Sequence, residues 1–248
     1  MPRRAATMPE ISKTADQTLA ILEYVAEHGP ALTADVARAL QMHRTVVHRS
    51  LATLHQRGFV RRVAAGFVPG VTLLRVAQAV EPELLGAARP VLEQLARAHG
   101  ETFILTVRDG DEAVQIEQAM GSRHFVRVQL ARGFRHPLPS GASGRAILAF
   151  LDTATITRLV AATPAPRKLA ALVASARADG HATSHDELSA GVCGISAPIL
   201  VKGCVQGSVG VVMPALRAEQ NAKFVKLIKK AALEIAKALQ ASPRPPRA

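Results

Sequence analysis

Side chains suited to hydrogen bonding with base edges recur along one predicted helix near the N-terminus. Within residues 44–56, Val47, Leu51 and Leu54 fall on one apolar stripe at about 3.6 residues per turn. The opposite side carries short or polar residues: Thr45, His48, Arg49, Ala52 and Gln56. An arginine can bond bidentately to guanine, a glutamine to adenine, and a threonine can meet phosphate or a thymine methyl. The pattern predicts a helix that enters a DNA groove, and an ordinary solvated face is the alternative.

The residues around this helix carry charge of one sign. From Val36 to Val80 the chain has no Asp or Glu and contains seven arginines: Arg38, Arg44, Arg49, Arg57, Arg61, Arg62 and Arg75. A positive field with no internal counter-charge attracts a polyanion. The net charge of +12 agrees with a nucleic-acid partner, although a generally basic proteome would also produce it. No Trp, one Tyr and seven Phe argue against base-stacking recognition of single strands.

Local signals predict that a helix-turn-helix followed by a small wing positions these residues. A first helix is expected from residue 12 or 14 to 29–30. Its predicted buried face consists of Ala15, Leu19, Leu22 and Ala26. Thr33 is expected to cap a second helix at residues 34–40, and Gly58 to stop the third. Residues 59–63 and 67–68 are typical of a hairpin.

The predicted DNA contacts lie on the second helix, the third helix and the hairpin. They are Thr33, Arg44, Thr45, Val46, His48, Arg49, Thr53, Gln56, Arg61 and Arg62. Arg44 lies near the start of the third helix, where the helix dipole favours a phosphate. Arg61 and Arg62 are adjacent, so a regular strand would point them to opposite faces and only one would reach phosphate.

From Glu101 onwards the periodicity changes to that of an α+β domain. Strands are expected at 102–108, 112–118, 124–130, 195–201 and 205–212, and helices at 145–151, 155–162, 167–179 and 218–240. Before them, apolar helices are expected at 71–80 and 84–99, with Pro90 kinking or dividing the second. These signals divide the chain into five predicted parts: a flexible basic arm at 1–11, a winged helix-turn-helix at 12–70, a helical linker at 71–100, a ligand-binding domain at 101–240 and a Pro/Arg tail at 241–248.

Sequence motifs for catalysis or metal binding are weak. Ser143 fails the GxSxG pattern because Arg145 follows it, and the glycine-rich phosphate loops are absent. Asp186 and Glu187 with His181 and His185 could form an acid–base or metal cluster, but adjacent carboxylates in a polar stretch are more often exposed. The two cysteines form no CxxC motif, so neither a zinc site nor a disulfide scaffold is expected. We predict no enzyme, no cofactor, no membrane span and a cytoplasmic location.

Along nearly the whole chain, the motifs and their order resemble those of one protein family. The stretches Thr33-Ala-Asp-Val-Ala-Arg-Ala-Leu and Thr45-Val-Val-His-Arg-Ser-Leu-Ala-Thr-Leu look like the N-terminal domain of IclR-family transcriptional regulators. Further on, Gly141-Ala-Ser-Gly-Arg-Ala-Ile-Leu-Ala and residues 186–199 resemble later motifs of the same family. The resemblance implies a winged helix-turn-helix joined to a GAF-like α+β domain with an antiparallel sheet, which holds a small acidic or aromatic effector.

The resemblance also implies which residues would line the effector pocket. They are Val128, Leu130, Ser140, Gly141, Ala142, Ser143, Ser184, Asp186, Cys193, Gly194, Gly210 and Val212. Independently, a Gly/Ser loop at a helix N-terminus offers N–H groups to a carboxylate, although Gly141 and Gly144 could merely permit a tight turn. Cys193-Gly194, Gly210-Val-Val-Met213 and Pro139 depart from the usual family residues. These departures predict a more apolar pocket and favour an aromatic or larger organic acid.

The predicted partners are a double-stranded DNA operator, a small-molecule effector and a second copy of the chain. A single winged helix buries too little surface for tight specific binding, so a homodimer is expected. The resemblance adds a dimer of dimers as an alternative. Two other functions stay open from the sequence: a GAF-type enzyme or signalling module whose basic N-terminus serves protein contacts, and a nonspecific architectural DNA protein.

Overall fold

The computed structural model describes residues 11–241, apart from the side chains of residues 218–221. Most of the predicted basic arm and of the Pro/Arg tail, including Arg244 and Arg247, lies outside the described residues. The chain folds as two compact units that divide between Glu81 and Pro82. None of the helices in the described range is both long and apolar enough to cross a membrane.

The first unit is a helix-turn-helix with a hairpin. Its elements are α1 (Lys13–His28), α2 (Thr33–Ala39), α3 (Arg44–Gln56), β1 (Val60–Val63), β2 (Gly66–Pro69) and α4 (Thr72–Ala77). Val47, Leu51 and Leu54 of α3 are buried together with Val36 of α2, as their helical spacing predicts. The antiparallel hairpin pairs Val60 with Pro69.

Two details of this unit differ from the sequence-based expectation. α1 buries Ile21 and Val25, whereas Leu19 is 59% exposed and Ala26 is also exposed. The predicted and the observed buried residues both have helical spacing, so spacing alone does not decide between them. The packing of α1 against α3 buries Ile21 and Val25, and it also places the Thr18 hydroxyl 3.0 Å from Ser50 Oγ. Thr33 is the first residue of α2 rather than its cap, and Leu32 at the cap position makes no side-chain capping bond.

The second unit is an α+β domain built on an antiparallel sheet, which confirms the predicted fold class. Its elements are α5 (Pro82–His99), β3 (Thr102–Asp109), β4 (Glu112–Met120), β5 (Arg135–Pro137), α6 (Gly141–Leu148), α7 (Thr153–Ala161), α8 (Pro166–Asp179), β6 (Ala182–His185), β7 (Val192–Val201), β8 (Cys204–Pro214), a 3-10 helix (Ala215–Gln220) and α9 (Asn221–Ala241). Within the described residues, the sheet order is β5-β4-β3-β8-β7-β6.

The two faces of this sheet have different roles because side chains alternate along each strand. On β7, Cys193, Ile195, Ala197 and Ile199 are buried in the core that also contains apolar residues of α5 and α9. Gly194 and Ser196 alternate with them and face the side on which α6 lies. The buried residues of α5 belong to this core, so part of the segment predicted as a linker packs into the sheet unit.

The secondary structure of the second unit differs from the prediction at four places. The expected strand at 124–130 is irregular, and the edge strand β5 follows it instead. α6 begins at Gly141, so the expected Gly/Ser loop already forms the first turn of the helix. The short edge strand β6 was not predicted, and α5 continues through Pro90 as one helix, which rules out the division at Pro90 that was one of the two predicted alternatives.

Candidate functional sites

The polar side of α3 lies open to solvent. Thr45, His48, Arg49 and Gln56 are exposed, opposite the buried stripe. Arg44, at the first position of the helix, is also exposed. His43 precedes it without a side-chain capping bond, so the first amides of α3 are not capped by a side chain and suit a phosphate oxygen.

The remaining predicted contacts are distributed around this helix. Thr53 is exposed, and its hydroxyl donates to the carbonyl of Arg49 at 3.0 Å. Thr33 and Val46 are half-buried. The structure therefore presents the polar α3 residues together on one surface and places Thr33 and Val46 at partly covered positions.

The hairpin adds two exposed guanidinium groups. Arg61 and Arg62 are both solvent-exposed on β1, although adjacent strand residues point to opposite faces. Within residues 11–81, the ion pairs include Arg38 with Asp35 at 3.4 Å but none made by Arg44, Arg49, Arg61 or Arg62. These four cations consequently remain available to an external polyanion.

In the second unit, a small cavity lies between α6 and the adjacent sheet face. Its volume is about 40 Å³. Its walls are mostly carbon, with hydroxyl, amide and imidazole groups among them, as is usual for ligand sites. The lining residues are Ile104, Thr106, Gln115, Leu130, Phe134, His136, Ala142, Ser143, Ser184, Leu188, Ser189, Val192, Gly194, Ser196 and Val212.

Half of the residues predicted for the effector pocket line this cavity. They are Leu130, Ala142, Ser143, Ser184, Gly194 and Val212. They come from the irregular segment 121–134, from α6 and from strands β6, β7 and β8. The antiparallel pairing of Ser184 with Gly194, and of Gly194 with Val212, places three of them side by side.

The other predicted residues lie nearby or elsewhere. Val128 contributes its carbonyl, which accepts a 2.6 Å hydrogen bond from the Thr102 hydroxyl. Cys193 points into the core on the opposite sheet face, where burial raises the pKa of its thiol. Asp186 accepts a bond from the Gly191 amide at 2.6 Å in the loop before β7.

Three of the predicted glycine and serine residues do not line the cavity, and two of them are glycines whose lack of a Cβ leaves room for lining side chains. Ser140 precedes α6, and Gly141 begins it with φ +69. A Cβ on Gly141 would lie 2.8 Å from Leu188 Cδ1, so glycine leaves room for that lining side chain. Gly210 pairs with Ser196, and a Cβ on Gly210 would collide with the Ser196 hydroxyl.

Sequence reasoning missed nine cavity residues, which come from strands β3, β4, β5 and β7, from the end of segment 121–134 and from the loop before β7. They are Ile104, Thr106, Gln115, Phe134, His136, Leu188, Ser189, Val192 and Ser196. A signal was available for some of them: Thr106, Gln115 and Ser196 each lie between two apolar neighbours in a strand, and each is at most 2% exposed. A buried polar group in a strand needs a partner, so such positions indicate a site.

His136 and Ser143 form a neutral pair in the lining. The Nδ1 atom of His136 lies 3.1 Å from the Pro137 carbonyl, and Nε2 lies 3.1 Å from Ser143 Oγ. A carbonyl can only accept, so Nδ1 carries the proton and Nε2 accepts from the serine hydroxyl. Burial is the main cause of a lowered His136 pKa, and it keeps the ring uncharged near neutral pH.

The N-terminus of α6 is occupied by a carboxylate of the chain itself. The Gly141 amide donates to Glu187 Oε2 at 3.0 Å, and Arg145 Nη2 donates to Glu187 Oε1 at 2.8 Å. Burial opposes ionisation of Glu187, but the bonds and charge of Arg145 outweigh it and the pKa lies below its ordinary value. An anionic effector group would therefore have to use the following residues, Ala142 and Ser143, which line the cavity.

A buried glutamate attaches one cavity wall to α5. Glu117 on β4 accepts from Arg132 Nη2 at 2.6 Å and from Arg89 Nη2 at 2.8 Å. Arg132 belongs to segment 121–134, which also supplies Leu130 and Phe134 to the lining. Burial alone would raise the pKa of Glu117, but the two arginines and a backbone amide hold it below its ordinary value.

A larger groove between α7 and α8 lacks such internal polar groups. Its volume is about 480 Å³ and its walls include Ile156, Val160 and Val173. The polar residues at its edge, among them Thr157 and Arg177, are exposed. The small cavity is therefore the better candidate for a specific ligand, because its polar groups are buried and fixed.

The acid–base or metal cluster weighed from the sequence does not assemble. Glu187 forms an ion pair with Arg145, and His185 Nδ1 lies 2.8 Å from Asp186 Oδ2. Among the residues that the structure describes, no three His, Cys, Asp or Glu side chains come together as a metal site.

Comparisons with known proteins identify both units. Residues 14–64 match the IclR helix-turn-helix domain, and residues 77–237 match the family described as Bacterial transcriptional regulator IclR C-terminal. The chain is 32% identical over 206 residues to the HTH-type transcriptional regulator KipR of Bacillus subtilis, a match that covers 77% of this chain and 82% of KipR. It is 30% identical over 169 residues to the transcriptional repressor IclR of Escherichia coli, covering 62% and 60% of the two chains.

Solved structures show the same fold. An IclR transcriptional regulator from Alicyclobacillus acidocaldarius aligns with a TM-score of 0.80 at 22% identity, over 93% of this chain and all (100%) of that one. An IclR homolog from Microbacterium hydrocarbonoxydans, complexed with 4-hydroxybenzoate, aligns with a TM-score of 0.83 at 21% identity, over 92% and 100% of the two chains. The matched family consists of regulators and not of enzymes. The chain therefore belongs to the IclR family of transcriptional regulators, in which a helix-turn-helix domain is joined to an effector-binding C-terminal domain.

Proposed function

We propose that α3 and the β1–β2 hairpin form the operator interface. The observation that carries this proposal is the exposed polar face of α3, whose Arg44 and Arg49 have no ion pair within residues 11–81. Arg49 and Gln56 read base edges, while Arg44 and at least one of Arg61 and Arg62 meet phosphates. Residues 12–70 thus bind DNA, 71–100 join the two functional regions, and 101–240 hold the effector and assemble subunits.

The protein acts as a homodimer in the cytoplasm. One helix-turn-helix module covers too short a stretch of DNA for tight specific binding, and a two-fold dimer presents two recognition helices to successive half-sites. Assembly of two such dimers into a tetramer would add a second pair of recognition helices.

The effector is an organic acid with an aromatic ring. Ile104, Leu130, Phe134 and Val212 provide carbon walls for a ring, and Ala142 with Ser143 at the start of α6 suits a carboxylate. The relative from Microbacterium hydrocarbonoxydans is complexed with such an acid. An engineered cavity of about 150 Å³ admits benzene, so this cavity of about 40 Å³ has to open around a ring.

The first test measures DNA binding by fluorescence anisotropy. The duplex is the sequence immediately upstream of the coding region of this protein, a scrambled duplex is the control, and both are titrated across a salt series. We expect tight binding that prefers the native sequence and a log–log salt slope near −0.9 per neutralised phosphate. Equal, weak binding to both duplexes would contradict a sequence-specific regulator.

A second test adds effectors to the preformed complex. An acid that binds the cavity should change operator affinity, and operator DNA should change the affinity for the acid by the same factor, because binding linkage is reciprocal. Calorimetry measures the affinity for the acid with and without operator DNA, and the affinity for the operator with and without the acid. An acid that binds tightly without changing operator affinity would contradict its role as the effector.

A further inference from the structure

Gln115 is a buried amide in the cavity whose oxygen lacks a hydrogen-bond partner. The residue lies on β4 opposite Thr106 of β3 and is 2% exposed. Its Nε2 donates to the Leu130 carbonyl at 3.5 Å, which is long for an N–H···O bond. Among the described residues, Gln115 Oε1 is the buried side-chain polar atom without a partner. Native structures rarely leave such an acceptor unused, so its position in a ligand cavity indicates a ligand group.

The surrounding groups fix the orientation of the amide. Turning it over would place Oε1 against the Leu130 carbonyl, acceptor against acceptor, so the oxygen points away from that carbonyl and is buried in the cavity wall, where a ligand reaches it once the cavity opens around a ring. The Ser143 hydroxyl, also in the lining, donates its hydrogen to Nε2 of His136 at 3.1 Å. The acceptor on Gln115 consequently has to be satisfied from outside the chain.

The character of the lining restricts the kind of donor. No residue of the lining is Asp, Glu, Lys or Arg in the part of the chain that the structure describes. A buried ammonium group would need a carboxylate partner that this lining does not offer, whereas a carboxylate can accept from the backbone N–H groups at the start of α6. A hydroxyl group has no such requirement and can donate one hydrogen bond to a neutral amide oxygen.

We propose that the effector of this regulator carries a hydroxyl group that donates a hydrogen bond to Gln115 Oε1. The proposal rests on the proposed function, because it takes the cavity as the effector site. With a carboxylate held at Ala142 and Ser143, the ligand class becomes a hydroxylated organic acid. Gln115 then determines specificity, because an analogue that lacks the donor leaves a buried acceptor unpaired.

The test uses matched ligands with the full-length protein. Isothermal titration calorimetry compares 3- and 4-hydroxybenzoate with benzoate and with the corresponding methoxybenzoates, which keep an oxygen but lose the donor. At least one hydroxylated acid is expected to bind about 10–100-fold more tightly than its methoxy and unsubstituted partners. In the Gln115→Met variant, which keeps the side-chain length, this preference is expected to disappear.

Two controls separate recognition from structure. Gln118, on the same strand, accepts a bond from the Leu130 amide at 3.4 Å and does not line the cavity. Gln118→Met is expected to keep the preference for the hydroxylated acid. Without ligand, Gln115→Met is expected to unfold at a temperature close to that of the wild type, because removing the unpaired buried acceptor offsets the loss of the long bond from Nε2 to the Leu130 carbonyl.

The possible outcomes are distinct. A preference that survives in Gln115→Met, a clear fall in its ligand-free melting temperature, or equal binding of hydroxylated and methoxy acids would each overturn the role of Gln115. If no hydroxylated acid binds, the ligand class is wrong. The proposed function fails separately, and only if the anisotropy assay shows no preference for the upstream duplex.

Discussion

Arg49 is the residue whose role on DNA can be tested most directly. It is exposed near the middle of α3, on the side opposite the buried stripe. We expect Arg49→Ala to weaken binding to the native duplex by roughly 1–3 kcal/mol more than binding to scrambled DNA, because a bidentate base contact is lost. Anisotropy on both duplexes gives the difference, and Arg167→Ala, an exposed arginine on α8, is the control. Equal losses on both duplexes would assign Arg49 to a phosphate.

His136 predicts how the stability of the effector domain depends on pH. Its pKa is lowered in the folded state, mainly by burial, so between the two pKa values the unfolded chain binds a proton that the folded chain does not. The contribution of His136 to the free energy of unfolding should be constant above the ordinary histidine pKa of about 6.5 and should decrease as the pH falls below it. His99, whose pKa is also lowered by burial, acts in the same direction.

The His136→Gln variant isolates the contribution of His136 to this pH dependence. Urea unfolding of the wild type and of His136→Gln at pH 7.5 and pH 5.5 should show a smaller pH effect in the variant. Glu117 and Glu187 also have lowered pKa values, but their protonation changes the free energy of unfolding only at more acidic pH, below the ordinary carboxyl range. Their contribution therefore does not overlap with this window. An identical pH dependence in both proteins would show that His136 is protonated similarly in the folded and unfolded states.

At residue level, the exposed polar face of α3 was predictable, and the composition of the cavity was only partly so. Which side chains of α3 share a face depends on spacing within one helix, so Thr45, Arg49 and Gln56 could be grouped from local sequence. The cavity brings together Gln115, Thr106 and Ser196 through strand pairing across long sequence separations. A single sequence does not reveal that pairing, and the resemblance to the family supplied only positions near its known motifs.

Among elements, the connection between segment 121–134 and α5 through Glu117 is the most consequential. Glu117 is 3% exposed, whereas the side chains of Arg89 and Arg132 are 54% and 66% exposed. We expect the double variant Arg89→Met, Arg132→Met to lower the free energy of unfolding of the effector domain by roughly 1–3 kcal/mol, because it leaves a buried carboxylate without a counter-charge.

A surface ion pair on the same helix serves as the control. Arg97 lies 3.8 Å from Glu93 with both side chains exposed, and Arg97→Met should change stability by less than about 0.5 kcal/mol. The chain contains no Trp, so its unfolding in urea is followed by far-ultraviolet circular dichroism instead of tryptophan fluorescence. Similar small effects in both variants would indicate that Glu117 becomes protonated or solvated at little cost.

Element boundaries were predicted best where local chemistry sets them. The hairpin turn at Asp109-Gly110 and the strands on either side follow directly from turn residues and alternation. The expected strand at 124–130 was wrong because the backbone of this segment is held by side chains: the carbonyls of Val128 and Leu130 accept hydrogen bonds from side chains of β3 and β4 rather than from a neighbouring strand. The helix α6 starts earlier than expected because Glu187, distant in sequence, caps Gly141.

For the whole molecule, the dimer proposal makes a prediction about operator geometry. Two recognition helices related by a two-fold axis should engage half-sites about one helical turn, or a multiple of it, apart. Inserting about 5 base pairs between the half-sites turns one of them to the opposite side of the duplex and should weaken binding strongly, whereas about 10 base pairs should restore it in part. Anisotropy on the three duplexes measures this, with light scattering to count the subunits. Equal affinity for an isolated half-site would show that one protomer suffices.

The alternation along β7 has a consequence for how this sensor can acquire a new ligand. Gly194 and Ser196 face the cavity, while their neighbours Cys193, Ile195 and Ala197 are in the core. If the cavity holds the effector, as proposed, mutations at every second position are expected to change ligand selectivity, and mutations one position away to disturb folding. A library aimed at retargeting the regulator should therefore vary cavity-facing positions and leave their core neighbours unchanged. Gly194 should be varied together with Ser184, because a Cβ on Gly194 would lie 2.8 Å from the Ser184 hydroxyl.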